Sequence, residues 1–559
     1  MTKPMRPAVN LASLVLAGLL AWGPADGADA SPTAASTAVD TVPLYDDLGD
    51  HHYPVTTEVP RAQAYFDQGL RLYYAFNHGE AIRAFREAQR LDPECAMCWW
   101  GEALAHGPNI NMPMDSASGA AAYAAVRRAV AERDDASERE RALIDALARR
   151  YGADPTRDRA ALDSAYAEGM ATVVEAYPDD LEARSLYAEA LMDLSPWNYW
   201  NRDGSPRPQT PELLESLERV MADNPEHPGA NHFYIHAVEA VDPERAVDAA
   251  ERLAGLMPGA GHIVHMPGHI YVRVGRYLDA IRANEHAIHA DETWIQDQRP
   301  AQGVYVAGYY PHNYDFLAFA ASMIGRSGQA IGSAEKMATL SSEEMLRAPG
   351  MTFLQHHRTR HLQLRVRFAR WDAILESPEP AEDLLHARGV WHYARGRALA
   401  AKGDVAAAEG ELERLREMAS HPDLAGVRLE FNTSDAVLGL ASEVLAAHIA
   451  RAEGDLAGAE AHLREAARRE DEMVYGEPPD WTVPVRHDLG EVLLEAGRAK
   501  EAERAFREDL DRFPKNGWAL HGLARALEAQ GRADEAREAM AEFEEAWRDA
   551  DVPIVASGT

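Results

Sequence analysis

Histidines at matched offsets are the residues of this chain best placed to do chemistry. His232 and His236 follow Pro225 by seven and eleven residues, and His265 and His269 follow Pro258 by the same steps. A spacing of four puts both rings of each pair on one helical face. Glu239 extends the first stripe forward and His262 extends the second backward. His312 and Asp315 stand thirteen and ten residues before Gly325, as His262 and His265 stand before Gly275. Helices that pack side by side lie roughly 8–10 Å apart, so arms from neighbours can meet at one ion. Imidazoles and carboxylates without a thiolate suit copper, zinc, iron or nickel rather than calcium or magnesium. The expected ligand set is His232, His236, Glu239, His262, His265, His269, His312 and Asp315, with surplus members free to serve a second metal or to carry protons. The competing expectation is a polar groove whose histidines bind an anionic ligand or peptide directly.

These residues need helices to hold them. From residue 61 onward, small and large apolar residues alternate at helical spacing in pairs of segments. Ala64–Gly69 begins one helix, Ala81–Ala88 begins a second, and Leu91-Asp92-Pro93 closes the pair. Gly275-Arg276-Tyr277, Gly497-Arg498 and Gly531-Arg532 open further second helices, with weaker copies at Gly325, Gly403 and Gly454. Period-2 alternation is absent, so no sheet is expected. Pro267 lies among the second histidine group and either kinks its helix or starts a new one.

This grammar resembles the tetratricopeptide repeat, with a period of about 34 residues. The resemblance covers most of residues 61–548 and implies an all-α, right-handed solenoid of helix pairs whose first helices line a concave groove. On that resemblance, positions ten, thirteen and six residues before each glycine face the groove. His487, Glu491, His521 and Arg525 would then decorate its C-terminal part as ligand-facing polar groups, and His448 joins them. His286 and His289, on a second helix, would face outward. The motifs GPNIN and HMPGHIY also resemble those of a family of long bacterial repeat proteins, which implies no activity.

The organisation expected is a signal peptide over 1–30, a linker over 31–60, and three repeat regions over 61–291, 292–434 and 435–549. Four loops interrupt the array, at 107–118, 195–210, 292–310 and 475–481, the last three aromatic. They read as ordered segments that should fold into or over the groove. Tyr309 and Tyr310 could bring phenols to the site.

The net charge of -34, from 56 Lys+Arg against 90 Asp+Glu, excludes an ordinary nucleic-acid partner. Lys3 and Arg6, an apolar run over Leu11–Trp22 and Ala28-Asp29-Ala30 read as a secretory signal, so a periplasmic or secreted location is expected, with no membrane span. The only cysteines, Cys95 and Cys98, are assigned to a structural disulfide, with metal binding as the weaker alternative. Trp99 stands where haem attachment would need a histidine. No nucleophile elbow, H-E-x-x-H, P-loop or G-x-G-x-x-G is present. Two functions remain. One is a groove holding a transition metal (copper, zinc or iron), in a metal-dependent enzyme or metal-handling protein acting on a small molecule or peptide. The other is a scaffold gripping a peptide or partner protein without metal.

Overall fold

The computed structural model describes residues 42–154, 158–300 and 303–554. The signal peptide and the first part of the linker lie outside the described residues. Within them the chain is helical from Pro60 to Ala546 and contains no strand. None of these helices is long and apolar enough to cross a membrane.

Most helices pack on the next one in the chain, and first helices also touch the first helices of adjacent pairs. The glycines that punctuate the sequence do so through backbone conformation. Gly275, Gly325, Gly403, Gly454, Gly497 and Gly531 all have φ between 74° and 84°. A helix that closes in the left-handed region turns the chain back at once, and glycine does this without a Cβ penalty. Packing is also tight where small residues repeat. Phe85 sits against both Gly69 and Gly101, and Phe506 against both Gly490 and Gly522, where any Cβ would collide with the ring.

A plain solenoid touches only its neighbours, but this chain closes on itself. Helix Pro228–Val238 rests on helix Pro60–Tyr74. The C-terminal repeats dock on the middle of the array. Trp518 Nε1 donates to the Ser322 carbonyl at 2.8 Å, Arg273 reaches the Arg512 carbonyl at 3.1 Å, and Asp551 accepts from the Ser327 and Gly328 amides.

Two expectations change here. Residues 42–59 are not a free linker: Leu48 and Tyr53 are buried, and Tyr53 donates to Asp180 at 2.8 Å. Apolar anchors in a polar segment hold it against the helices. The 292–310 stretch is mostly helical. Helix Tyr277–Gln298 continues through it because Glu292–Gln298 are able helix formers, and it stops where Arg299 turns left-handed before Pro300. A π-turn, Tyr305–Tyr309, then runs into helix Tyr310–Met323.

Candidate metal centre

Four helices bring their histidines to one buried point. Helix Pro228–Val238 supplies His232 and His236, and Glu239 caps its end. Gly261–His265 and Pro267–Arg273 form one rod in which Met266 stays helical. Pro267 has no N–H to donate, so the ladder breaks there while the direction is kept. His262, His265 and His269 therefore project from one continuous face. Helix Tyr310–Met323 adds His312. All of these rings are buried except His312, which is partly exposed.

One nitrogen from each of His232, His236 and His262 lies within 4.8 Å of the other two, and His265, His269 and His312 form a second such triad. The two triads adjoin, with ring centroids 5.3 Å apart for His236 and His269 and 5.6 Å for His262 and His265.

Hydrogen bonds on the far side of four rings fix their tautomers. His232 Nδ1 is 2.7 Å from the Tyr74 carbonyl, which can only accept. Tyr74 ends helix Pro60–Tyr74, so this ring satisfies a carbonyl that the helix leaves over. His236 Nδ1 and His269 Nδ1 lie 3.0 and 2.6 Å from the two oxygens of Glu239. His265 Nδ1 is 2.8 Å from Asn284 Oδ1, and Asn284 is oriented by donating its own amide to the Ala280 carbonyl. With Nδ1–H committed, Nε2 of each neutral ring carries a lone pair.

Those lone pairs point inward. His232 Nε2, His236 Nε2 and both nitrogens of His262 are buried with no partner. His265 Nε2 and His269 Nε2 face each other at 2.9 Å, lone pair against lone pair unless a cation lies between them. Two metal–nitrogen bonds of about 2.0–2.1 Å, at angles of about 90–110°, put their nitrogens about 2.9–3.4 Å apart.

Burial works against charge on five of the rings. Burial, then the neighbouring imidazoles, pushes His232, His262, His265 and His312 well below the usual histidine range, and burial also lowers His236. Burial alone would raise the Glu239 carboxyl, but His269 and His236 hold it down at about 2. It is a carboxylate, so it accepts both Nδ1 protons. A ligating histidine whose second nitrogen is anchored by a carbonyl or carboxylate is the usual pattern around bound metals.

Three of the four loops meet over this point. Trp197 Nε1 donates to Asn111 Oδ1 at 2.9 Å, and Asn111 Nδ2 reaches the Tyr309 hydroxyl at 3.2 Å. Tyr309 lies edge-on to His262 at 4.8 Å, and Trp197 to His236 at 5.0 Å. Phe76 packs on His232 at 4.5 Å and on His262 at 5.3 Å. Phe76 and Trp197 have φ of 54° and 60°. Bulky residues rarely adopt such angles, at a cost of order 1–3 kcal/mol each. Both of these strained aromatics bear on the histidine rings.

Other residues of the expected set go elsewhere. Asp315 is not a member of the histidine cluster. It accepts from the fully buried Arg360 at 2.6 Å, because a guanidinium without solvent needs a carboxylate. Tyr310 turns away and donates to Glu292 at 3.0 Å. His487 lies 2.8 Å from Asp509, Glu491 accepts from Arg525, and His521 packs on Phe543. These C-terminal groups are spent on local pairs and do not join the site. Cys95 and Cys98 form a disulfide away from it. His286 and His289 are exposed.

Two further clusters have ligand-like spacing. His51, Glu182 and His227 come together, but His227 Nδ1 accepts from the Ala230 amide, so its Nε2 carries the proton and faces Glu182 at 3.4 Å. Asp315, His357 and Glu430 come together beside Arg360, which already supplies a cation.

Spacing alone missed Asn284 and Phe76. Asn284 was detectable as the polar member of an otherwise apolar stripe at Ala280, Ile281, Ala287 and Ile288. Phe76 carries no such signal, since its approach depends on helix Pro60–Tyr74 reaching helix Pro228–Val238.

Residues 483–550 match the tetratricopeptide repeat model. The C-terminal repeats are tetratricopeptide repeats. The helix pairs before them continue the same all-α repeat architecture. By structure, the chain is similar to a human IFIT1 dimer solved with m7Gppp-AAAA, at 12% identity over 88% of this chain and 91% of that one, with a TM-score of 0.30. It is also similar to the APC/C hetero-tetramer Cut9-Hcn1, at 12% identity over 83% and 76%, with a TM-score of 0.32. No curated protein matches the chain by sequence.

Proposed function

We propose that this tetratricopeptide-type repeat protein is an exported metalloprotein that binds a late first-row transition ion between its inner helices. The observation that carries the reading is the 2.9 Å approach of His265 Nε2 to His269 Nε2, each ring having its other nitrogen committed as a donor. A proton between them would make one ring cationic where burial and the other imidazoles strongly disfavour a charged His265. A metal ion satisfies both lone pairs. Three imidazoles and an open position are what a reactive or exchangeable metal needs. The partly exposed His312 marks the accessible side, so the ion would act on a small molecule reaching under the aromatic lid, or be held for delivery. Export is supported by the N-terminal motif and by the oxidised cysteine pair.

The scaffold alternative draws on the repeats themselves, which commonly bind partners along an open groove. The Trp197–Asn111–Tyr309 chain closes the groove over the histidines and disfavours an extended peptide at this point. Elemental analysis of the full chain, purified without chelator, tests the reading. Bound copper, zinc or iron that disappears in H265A/H269A is the expected result. No transition metal in either protein would leave the scaffold.

A further inference from the structure

The reading above needs only His265, His269 and His312. The other triad is then unexplained: three buried imidazoles with no hydrogen-bond partner for His232 Nε2, His236 Nε2 or either nitrogen of His262. Orphaned buried polar atoms cost of order 1–3 kcal/mol each, and four in one place need a ligand to account for them. His232 Nε2 and His236 Nε2, on rings whose Nδ1 already donates, offer lone pairs, and His262, held by no hydrogen bond at either nitrogen, can turn a third toward them.

Resting on the metal reading, we propose that the centre is dinuclear, with one ion bound by His232, His236 and His262 and a second by His265, His269 and His312. Each triad has the same composition, three imidazole nitrogens mutually within 4.8 Å. Glu239 ties them into one unit by accepting from His236 of the first triad and His269 of the second. Facing rings of the two triads approach to 5.3 and 5.6 Å. The two triads thus adjoin, as paired metal sites must when ions about 3.5–4 Å apart share a ligand.

The charge balance identifies the class of that ligand. Two divalent ions would bring four positive charges into a buried site whose ligands are all imidazoles. A small oxygen-donor anion, hydroxide in the resting state, lying between the ions lowers that excess and occupies the open position on each. All-imidazole donors with the greatest affinity for Cu²⁺ among the divalent ions make copper the best probe.

The test loads the full-length chain with Cu²⁺ alone, removes excess by gel filtration, and measures copper per chain and the electron paramagnetic resonance spectrum. Two ions per chain are expected, with a spin count well below two because a bridged pair couples magnetically. H232Q/H236Q and H265Q/H269Q should each hold one ion with one full, uncoupled spin. The wild-type stoichiometry and spin count decide the question even if a variant fails to fold. One ion per chain, unchanged in H232Q/H236Q, would overturn the dinuclear proposal while leaving a single metal site. Two ions with two independent spins would overturn the shared ligand. No retained copper would overturn the metal reading as well.

Discussion

Two buried polar clusters share the interior of this chain, and helix Tyr310–Met323 contributes to both: His312 to the histidine centre and Asp315 to the Arg360 cluster. They differ in what they lack. Around Arg360 the cation is built in. The guanidinium donates to Asp315 and to the Asp480 carbonyl, and His357 pairs with Glu430 at 2.6 Å. Burial would raise the Glu430 carboxyl, yet His357, then His312 and Arg360, hold it at about 2. In the histidine centre four rings donate outward from Nδ1, which leaves their Nε2 lone pairs on the inside. Proximity of ligand atoms is common to both clusters. A shortage of positive charge is confined to the histidine centre, and it is the better guide to where an ion belongs.

The contrast can be broken by removing the built-in cation. Arg360→Met should destabilise the fold by about 3–5 kcal/mol in chemical denaturation, since Asp315 is left buried without its partner, and should leave metal content at the histidines unchanged. Asp315→Asn added to it should recover part of the loss. Conversely, saturating the histidine centre with ion at about a hundred times Kd should raise stability by about 2.7 kcal/mol. H265A/H269A should lose that gain, and R360M should keep it.

Glu239→Gln sharpens the comparison from the other side. A glutamine oxygen can serve one Nδ1–H but not both, so metal affinity should fall about 10–100-fold, as for other supporting groups, with little change in the metal-free fold by circular dichroism.

The protonation argument has its own signature in metal-free protein. His265 in the folded chain sits well below its ordinary 6.5, so the unfolded chain takes up the proton first as pH falls. Its folded form is therefore penalised increasingly below pH 6.5 and not above. His265→Gln removes that penalty, so the stability of the variant relative to wild type should rise on going from pH 7 to 5, by up to about 1.4 kcal/mol per pH unit. A flat difference would mean that His265 titrates alike in the folded and unfolded chain, and a falling one that it is charged when folded.

The smallest effect is expected at Trp197. Trp197→Gly relieves the left-handed backbone while giving up a half-buried ring, so stability should stay within about 1 kcal/mol of wild type. Transfer of bound metal to a chelator should nonetheless quicken, because the lid has lost its contact with His236.

The repeat architecture was legible because it is written locally. Glycine at Gly275, Gly497 and Gly531, apolar residues at helical spacing and a terminating proline all act within one helix pair. The histidine stripes were legible for the same reason, through equal offsets from Pro225 and Pro258. Which rings would have free lone pairs was not legible. That depends on the Tyr74 carbonyl for His232 and on Asn284 for His265, partners brought in by chain closure or by packing of a second helix. Asp315 was misplaced because its spacing matches that of His265, while its partner Arg360 lies 45 residues further on in the chain. The length of helix Tyr277–Gln298 was underestimated because its aromatic residues read as a loop.

The most direct measurement is anomalous diffraction at the metal edge on crystals of the full chain, purified without chelator. The account predicts a peak about 2.0–2.1 Å from both His265 Nε2 and His269 Nε2. Density with no peak there, and with the two nitrogens still about 2.9 Å apart, would show a shared proton in place of an ion and would contradict it.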